Sequence, residues 1–242
     1  MFHISKTALI LLGICGAACS QAATVNWSAA SDTGLITSAT SGSAALAVNN
    51  YLRIGYFGTL SNSQISQDAT TPAGISLLNG DFHQFAITTV GAGVSGSPGA
   101  FADSSSPLYS SLPGFNPGSQ IVFWALQSSN NSSLSTALSS VTGTAIAYVP
   151  IASIGRWQFP ASDVNPATTI DLSDLSNANR VVLAGNYVTG NSASLTSAFG
   201  TPNHALQLSD VTAVPEPASL IVGLFTAFAA LSSRKRNRSF VI

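Results

Sequence analysis

Ile121-Val-Phe-Trp-Ala-Leu126 is an apolar run without alternation, preceded by the turn dipeptide Pro117-Gly118 and followed by a Ser/Asn-rich stretch from residue 128. A half-buried strand alternates with period two, and a surface helix spaces its apolar residues three and four apart. A short unbroken apolar run between turn signals instead predicts a strand buried on both faces. The run is therefore expected to be the central strand of a sheet, and the rest of the chain is read by what can flank it.

Upstream, Leu46, Val48, Leu52, Ile54 and Tyr56 fall on one face of a period-two pattern, and Ala47, Asn49, Arg53 and Gly55 on the other. This predicts one long half-buried strand, or two joined at Asn49-Asn50. Val25-Asn-Trp27 reads as a first strand and residues 82–90 as another, with Phe85 and Ile87 on one face. Downstream, residues 144–149, 154–159, 180–188 and 206–211 read as strands punctuated by Pro150, Pro160 and Pro166. Helix is expected only in short pieces, at 59–68 and as one turn at 170–175, with residues 128–142 read as a helix or a loop. The Gly/Ser/Pro-rich region 91–119 is too long for an ordinary connection. It is either a binding loop or a segment held down by Phe101, Leu108, Tyr109 and Phe115. About seven to nine strands with few helix formers predict a mainly β fold, a single antiparallel β-sandwich, with a jelly roll as one arrangement of it. No fixed-period repeat points to a solenoid or propeller.

Charge is segregated. Between residues 23 and 213 the only basic residues are Arg53, Arg156 and Arg180, against eight aspartates, for a net charge of −5 with neither lysine nor glutamate. Nucleic-acid binding requires clustered Lys and Arg to neutralise phosphates, so no nucleic-acid partner is expected. Roughly 190 residues suffice for one domain with a real core. Trp27, Trp124 and Trp157 set the stretch apart from disordered chains.

Candidate chemistry in this body is sparse. Gly91-Ala-Gly93-Val-Ser-Gly96 matches a dinucleotide-binding pattern, but Pro98-Gly99 prevents the helix that the pattern must open, so it reads as a turn. Asp81-Phe-His83 puts a carboxylate and an imidazole on one strand face, where a third ligand elsewhere would complete a metal site; a hydrogen-bonded structural histidine is the simpler reading. Asp171-Leu-Ser-Asp174 offers two oxygens to Ca²⁺, or a helix start. No cofactor is expected otherwise. Trp157, between Arg156 and Gln158, would stack on sugar rings if exposed, or fill the core if not. No G-x-S-x-G elbow supports a serine hydrolase, and paired-carboxylate chemistry would have to use two aspartates.

The two ends are more specific. Lys6 precedes an apolar run over residues 8–18, and Ser20-Gln-Ala22 places small residues where signal peptidase reads them, so residues 1–22 are expected to be a signal peptide cut after Ala22. Both cysteines, Cys15 and Cys19, lie within it, so the mature chain is expected to have no disulfide and no thiolate site. A lipoprotein reading through Cys19 meets Gly16 where a bulky aliphatic residue is needed. At the other end, Val214-Pro-Glu-Pro217 is fixed in extended form by its prolines. The uncharged run 218–231 makes a helix of about 21 Å, short against a bilayer core of about 30 Å. Arg234, Lys235, Arg236 and Arg238 then supply charge for the cytoplasmic side.

These three features, in this order, resemble the PEP-CTERM sorting signal of Gram-negative envelopes, over residues 214–238 only. The resemblance implies an exosortase, a membrane transpeptidase-like enzyme, as partner. Pro215, Glu216 and Pro217 would serve recognition, 218–231 the membrane and the basic cluster topology. It implies export, with the inner membrane in transit and the cell surface or extracellular matrix as destination. An ordinary membrane anchor is the alternative reading of the tail. The expected organisation is a signal peptide at 1–22, a β-sandwich passenger at 23–213 and a sorting signal with a short transmembrane helix at 214–238. The expected function is a non-enzymatic surface or matrix protein. The alternatives are a carbohydrate-binding or adhesin module contacting extracellular polysaccharide through region 91–119 or Trp157, and an extracellular hydrolase.

Overall fold

A computed structural model describes residues 22–29, 33–36, 44–163, 167–189 and 204–212. Among these residues the chain is mainly β, with three sheets and three short α-helices.

The run 121–126 forms most of β6 (Val122–Ser128), the middle strand of the largest sheet. On one side lie β3 (Tyr51–Phe57) and then β4 (Phe82–Thr89); on the other, β7 (Val141–Tyr148) carries both β12 (Ser209–Asp210) and β9 (Val181–Ala184). Residues 121–126 are all buried. Because side chains alternate across a strand, they serve two cores. Phe123 and Ala125 join Leu52, Ile54, Ala145 and Ala147 in the first; Val122, Trp124, Leu126 and Ile146 join the second.

Two three-stranded sheets complete the first core. In one, β1 (Val25–Ala29) lies between β5 (Phe101–Ser105) and β8 (Thr168–Asp171); in the other, β11 (His204–Gln207) lies between β10 (Asn186–Thr189) and β2 (Thr33–Ile36). They contribute Val25, Trp27, Phe101, Ile170, Leu35 and Leu206. Trp27 meets Phe101 and Phe123 edge-on at 5.2 and 6.3 Å. Each such fully buried large side chain contributes about 1.5–3 kcal/mol.

The second core is closed by α1 (Asn62–Asp68) and α2 (Pro72–Asp81), which supply Ile65, Ile75 and Leu78. Ser61 and Gln64 form a capping box at the start of α1, and Thr71 caps α2 ahead of Pro72 in its first turn. The helices meet closely at Gly74, where a Cβ would stand 2.0 Å from the Asp68 carbonyl oxygen. A third helix, α3 (Leu134–Ser139), starts on Ser133.

Several expectations are corrected. The pairing is not wholly antiparallel: β1 runs parallel to β8, and β2 parallel to β11. Parallel neighbours need long connections, and here the partners are far apart in the chain, Val25 beside Thr168 and Thr33 beside His204. Residues 154–159 do not form a strand. The N–H groups of Ile154 and Trp157 bond to the carbonyls of Pro150 and Ile154 in successive turns, leaving one bridge between Gln158 and Gln120. The stretch 180–188 divides at Gly185 (φ +85°), where a Cβ would lie 2.2 Å from the Gln207 carbonyl oxygen. There the chain leaves the large sheet as β9 and enters a small one as β10. A strand that changes sheets in this way makes a corner.

Other expectations left alternatives open. The stretch 46–56 is neither one long strand nor two: residues 48–49 turn, with Asn49 at φ 67°, and only the part from Tyr51 onward is strand, as β3. Region 91–119 is held down: Phe101 is buried in β5, and Tyr109 stacks on Phe115 at 5.1 Å beside Phe85 and Phe159. Among the described residues no helix is long and apolar enough to cross a membrane; the expected span at 218–231 lies outside them.

Candidate functional site

The sorting residues Pro215, Glu216, Pro217, Arg234, Lys235, Arg236 and Arg238 lie outside the described residues. Ala22, the expected cleavage position, is the first residue described. Just after it, Ala23 is fully buried and the Thr24 carbonyl accepts from Thr168 N–H. Near the other end Val211 is buried, and Thr212 N–H donates to the Thr70 carbonyl in the α1–α2 connection. The Pro-Glu-Pro triplet thus begins three residues beyond a point tied to the body.

Within the body, the acids singled out in the sequence are bound up in local structure. The Asp81 carboxylate accepts from Thr59 N–H at 3.1 Å, from the Thr59 hydroxyl at 2.8 Å and from Leu60 N–H at 3.4 Å. Burial pushes the Asp81 carboxyl up, but the bonds from Thr59, Leu60 and Gly58 outweigh it and hold it below the ordinary carboxylate range. His83 stacks on Tyr56, with ring centroids 4.9 Å apart. No group of three metal-ligating side chains occurs among the described residues.

Asp171 and Asp174 form the reciprocal cap of the short 3₁₀ turn Leu172–Ser176. Asp174, buried, also accepts from Arg156 Nε at 3.0 Å, from a second guanidinium nitrogen and from Trp157 Nε1 at 2.7 Å. This bond to Asp174 is the first cause of the raised Arg156 pKa. With its oxygens taken by a cation and an indole, Asp174 is a helix-start and ion-pair residue and is poorly suited to hold Ca²⁺. Trp157 is fully buried, so it offers no face to a sugar. Gly91, Gly93 and Gly96 all have positive φ in the turn between β4 and β5, and no helix follows them.

The site that sequence reasoning missed is a groove of about 530 Å³ at one end of the large sheet. Tyr56 and Phe57 at the end of β3, Val122 at the start of β6, Tyr148 at the end of β7, Asn62 on α1 and Asn116 in the preceding loop all line it. The volume falls within the range of small-molecule sites. Tyr56 is fixed on several sides. Its ring lies on His83, Phe115 meets it at 5.3 Å, its hydroxyl donates to the Gly114 carbonyl at 2.9 Å and it accepts from Asn116 N–H at 2.7 Å. Tyr148 accepts from Asn62 Nδ2 at 2.9 Å. Gln120 forms structure rather than lining chemistry: Nε2 donates to the Val149 and Trp157 carbonyls, and Oε1 accepts from Ile151 N–H.

No family model, curated protein or solved structure matches the chain.

The functional reading therefore rests on this chain's own chemistry. Every described residue lining the groove is uncharged, and the polar ones are amides and hydroxyls. Tyr56, Asn62, Asn116 and Tyr148 are separated by up to 92 positions and follow no local motif. The signal in the sequence that bears on them is the Asn/Pro/Gly character of the segment 113–119, which marks an exposed loop beside a central strand.

Proposed function

We propose that this is a non-enzymatic exported protein of the cell surface or extracellular matrix, carried by an N-terminal signal peptide and handled at residues 214–238 by an exosortase-like transpeptidase. The observation that carries the reading is the order Pro-Glu-Pro, uncharged run and basic cluster. The passenger is a β-sandwich of mixed strand direction with helices over its outer face. Two features support this architecture: Leu52, Ile54, Phe123 and Ala147 of the large sheet share a core with Trp27, Phe101, Leu35 and Leu206 of the small ones, and α1 and α2 lie on the opposite side. The use of Asp81, Asp171 and Asp174 as acceptors for backbone, indole and guanidinium groups supports a binding or structural role over hydrolysis.

Replacing Pro215, Glu216 and Pro217 with alanine, in a host possessing such a transpeptidase, tests the sorting. The altered protein is expected to stay at precursor size in the inner-membrane fraction while the native chain is shortened and moves outward. Identical size and fractionation of the two would sink the proposal.

A further inference from the structure

We propose that the groove between the ends of β3 and β7 binds a neutral saccharide, as part of an uncharged polysaccharide chain. The proposal stands on the body alone and does not depend on how the tail is processed.

The charge of the lining narrows the ligand first. Among the described residues no ionised side chain lines the groove, while the body as a whole is acidic. An anionic ligand would find no cation there and would approach a surface of its own sign. A cationic ligand would find no carboxylate in the groove to pair with its charge. The chemistry that remains is apolar contact combined with neutral hydrogen bonding.

The distribution of the hydrogen-bonding groups narrows it further. The Tyr56 hydroxyl is used in both directions, so Tyr56 presents a fixed ring and no open polar function. A ring whose position is already set loses little freedom on binding. Tyr148 accepts from Asn62, which leaves its own O–H proton to be given. Asn62 spends an N–H on that bond, and its carbonyl oxygen makes no hydrogen bond within the described structure; nor does the side-chain amide of Asn116. Both asparagines are exposed. The groove therefore offers donors and acceptors together, on two walls, beside an aromatic platform. Vicinal sugar hydroxyls each give and take one hydrogen bond, and pyranose rings carry apolar C–H faces, so a saccharide uses all three features. A proline-rich peptide would use the rings but offers mainly carbonyl acceptors, leaving the asparagine carbonyls unmatched. Val122 and Ile65 give the groove an apolar base, and Tyr56 and Tyr148 lie on strands about 10 Å apart, two strand spacings. That span favours a chain of sugars over a single ring.

The test is titration of the full chain, in a zwitterionic detergent without a sugar head group, followed by calorimetry and intrinsic fluorescence. The probes are cello-, xylo-, malto- and chito-oligosaccharides, with oligogalacturonate as the charged comparison and a proline-rich peptide as the rival. At least one neutral series is expected to bind, and oligogalacturonate about tenfold more weakly or not at all. Asn62→Ala, Asn116→Ala and Tyr148→Phe should each weaken that binding about three- to tenfold, the loss of roughly one hydrogen bond. Thermal unfolding of the two asparagine variants should stay unchanged, which separates a lost contact from a lost fold. Absence of binding by every neutral series overturns the proposal, and so does binding that none of the three variants alters. Peptide binding that shows the same variant sensitivity, in place of sugar binding, reassigns the groove and also overturns it. None of these failures touches the sorting proposal, which is read from fractionation.

Discussion

Arg53 is buried on the helix-facing side of the large sheet, where neutral groups among the described residues surround its guanidinium. Nε donates to Gln84 Oε1 at 2.7 Å and Nη1 to Asn79 Oδ1 at 2.8 Å, while the cation lies 4.7 Å from the Phe82 ring and 4.8 Å from the Trp124 ring. Burial pushes its pKa down to about 10, still far above neutrality, so it stays charged at physiological pH. Amide dipoles and two aromatic faces replace the usual carboxylate. Exchanging a buried ion pair for apolar residues is often neutral or stabilising, but Arg53→Met leaves two amide carbonyls without a donor. Asn79 and Gln84 are half-buried, and each bond lost from a charged donor costs about 1–2 kcal/mol. Arg53→Met is therefore expected to lower stability by about 2–4 kcal/mol in urea unfolding followed by tryptophan fluorescence. Unchanged stability would show that these bonds are dispensable. The period-two pattern assigned Arg53 correctly to the face opposite Leu52 and Ile54 but reveals nothing of its burial, because alternation cannot tell solvent from a second core.

At the scale of elements, legibility followed how local each signal is. The strand around 121–126 was readable because a fully apolar run carries its own burial. The short helix at 59–68 was read from a polar stretch carrying Leu60 and Ile65, and appears as α1 over its later part. The helix α2 was not anticipated, although Thr71 and Pro72 form a proper start, because Gly74 and Gly80 interrupt its apolar pattern. Gly74 is explained only by the neighbouring Asp68 backbone, a contact between two helices that no window on one of them contains. The C-terminal residue of α2, Asp81, ties that helix to the connection that follows β3. Its lowered pKa fixes the sign of a pH effect. The stabilisation is fully present above the ordinary value of 3.8 and is lost as pH falls through the lower folded-state value. Asp81→Asn should therefore be less stable than the native chain at neutral pH, and the gap in melting temperature should close below about pH 3.8. A gap of constant size down to pH 2 would show that Asp81 ionisation is not what holds the connection.

At the scale of the molecule, the class was legible and the pairing was not. Strand content follows from pattern, but the union of β1 with β8 and of β2 with β11 depends on where distant segments meet. The same holds for the groove, whose walls come from β3, β7, α1 and a loop and exist only once the large sheet has formed. The small sheet containing β11 is integral by this reasoning, since β11 is the strand that both β2 and β10 pair with. A chain ending at residue 203 should lose its sigmoidal thermal transition in circular dichroism, whereas one ending at residue 212 should keep it. A cooperative transition of equal midpoint in both would mean that the sheet contributes nothing to the fold.

The parallel partnership of residues 33–36 with 204–207 also governs time. A chain delivered N-terminus first presents β2 long before its partner arrives, and topologies dominated by such distant pairings fold slowly. The leading strand can meet residues 46 and 99 early, through Leu35, but its ladder partner arrives only near the end of the body. Closure of this small sheet thus waits for the last strands of the body, a delay set by topology.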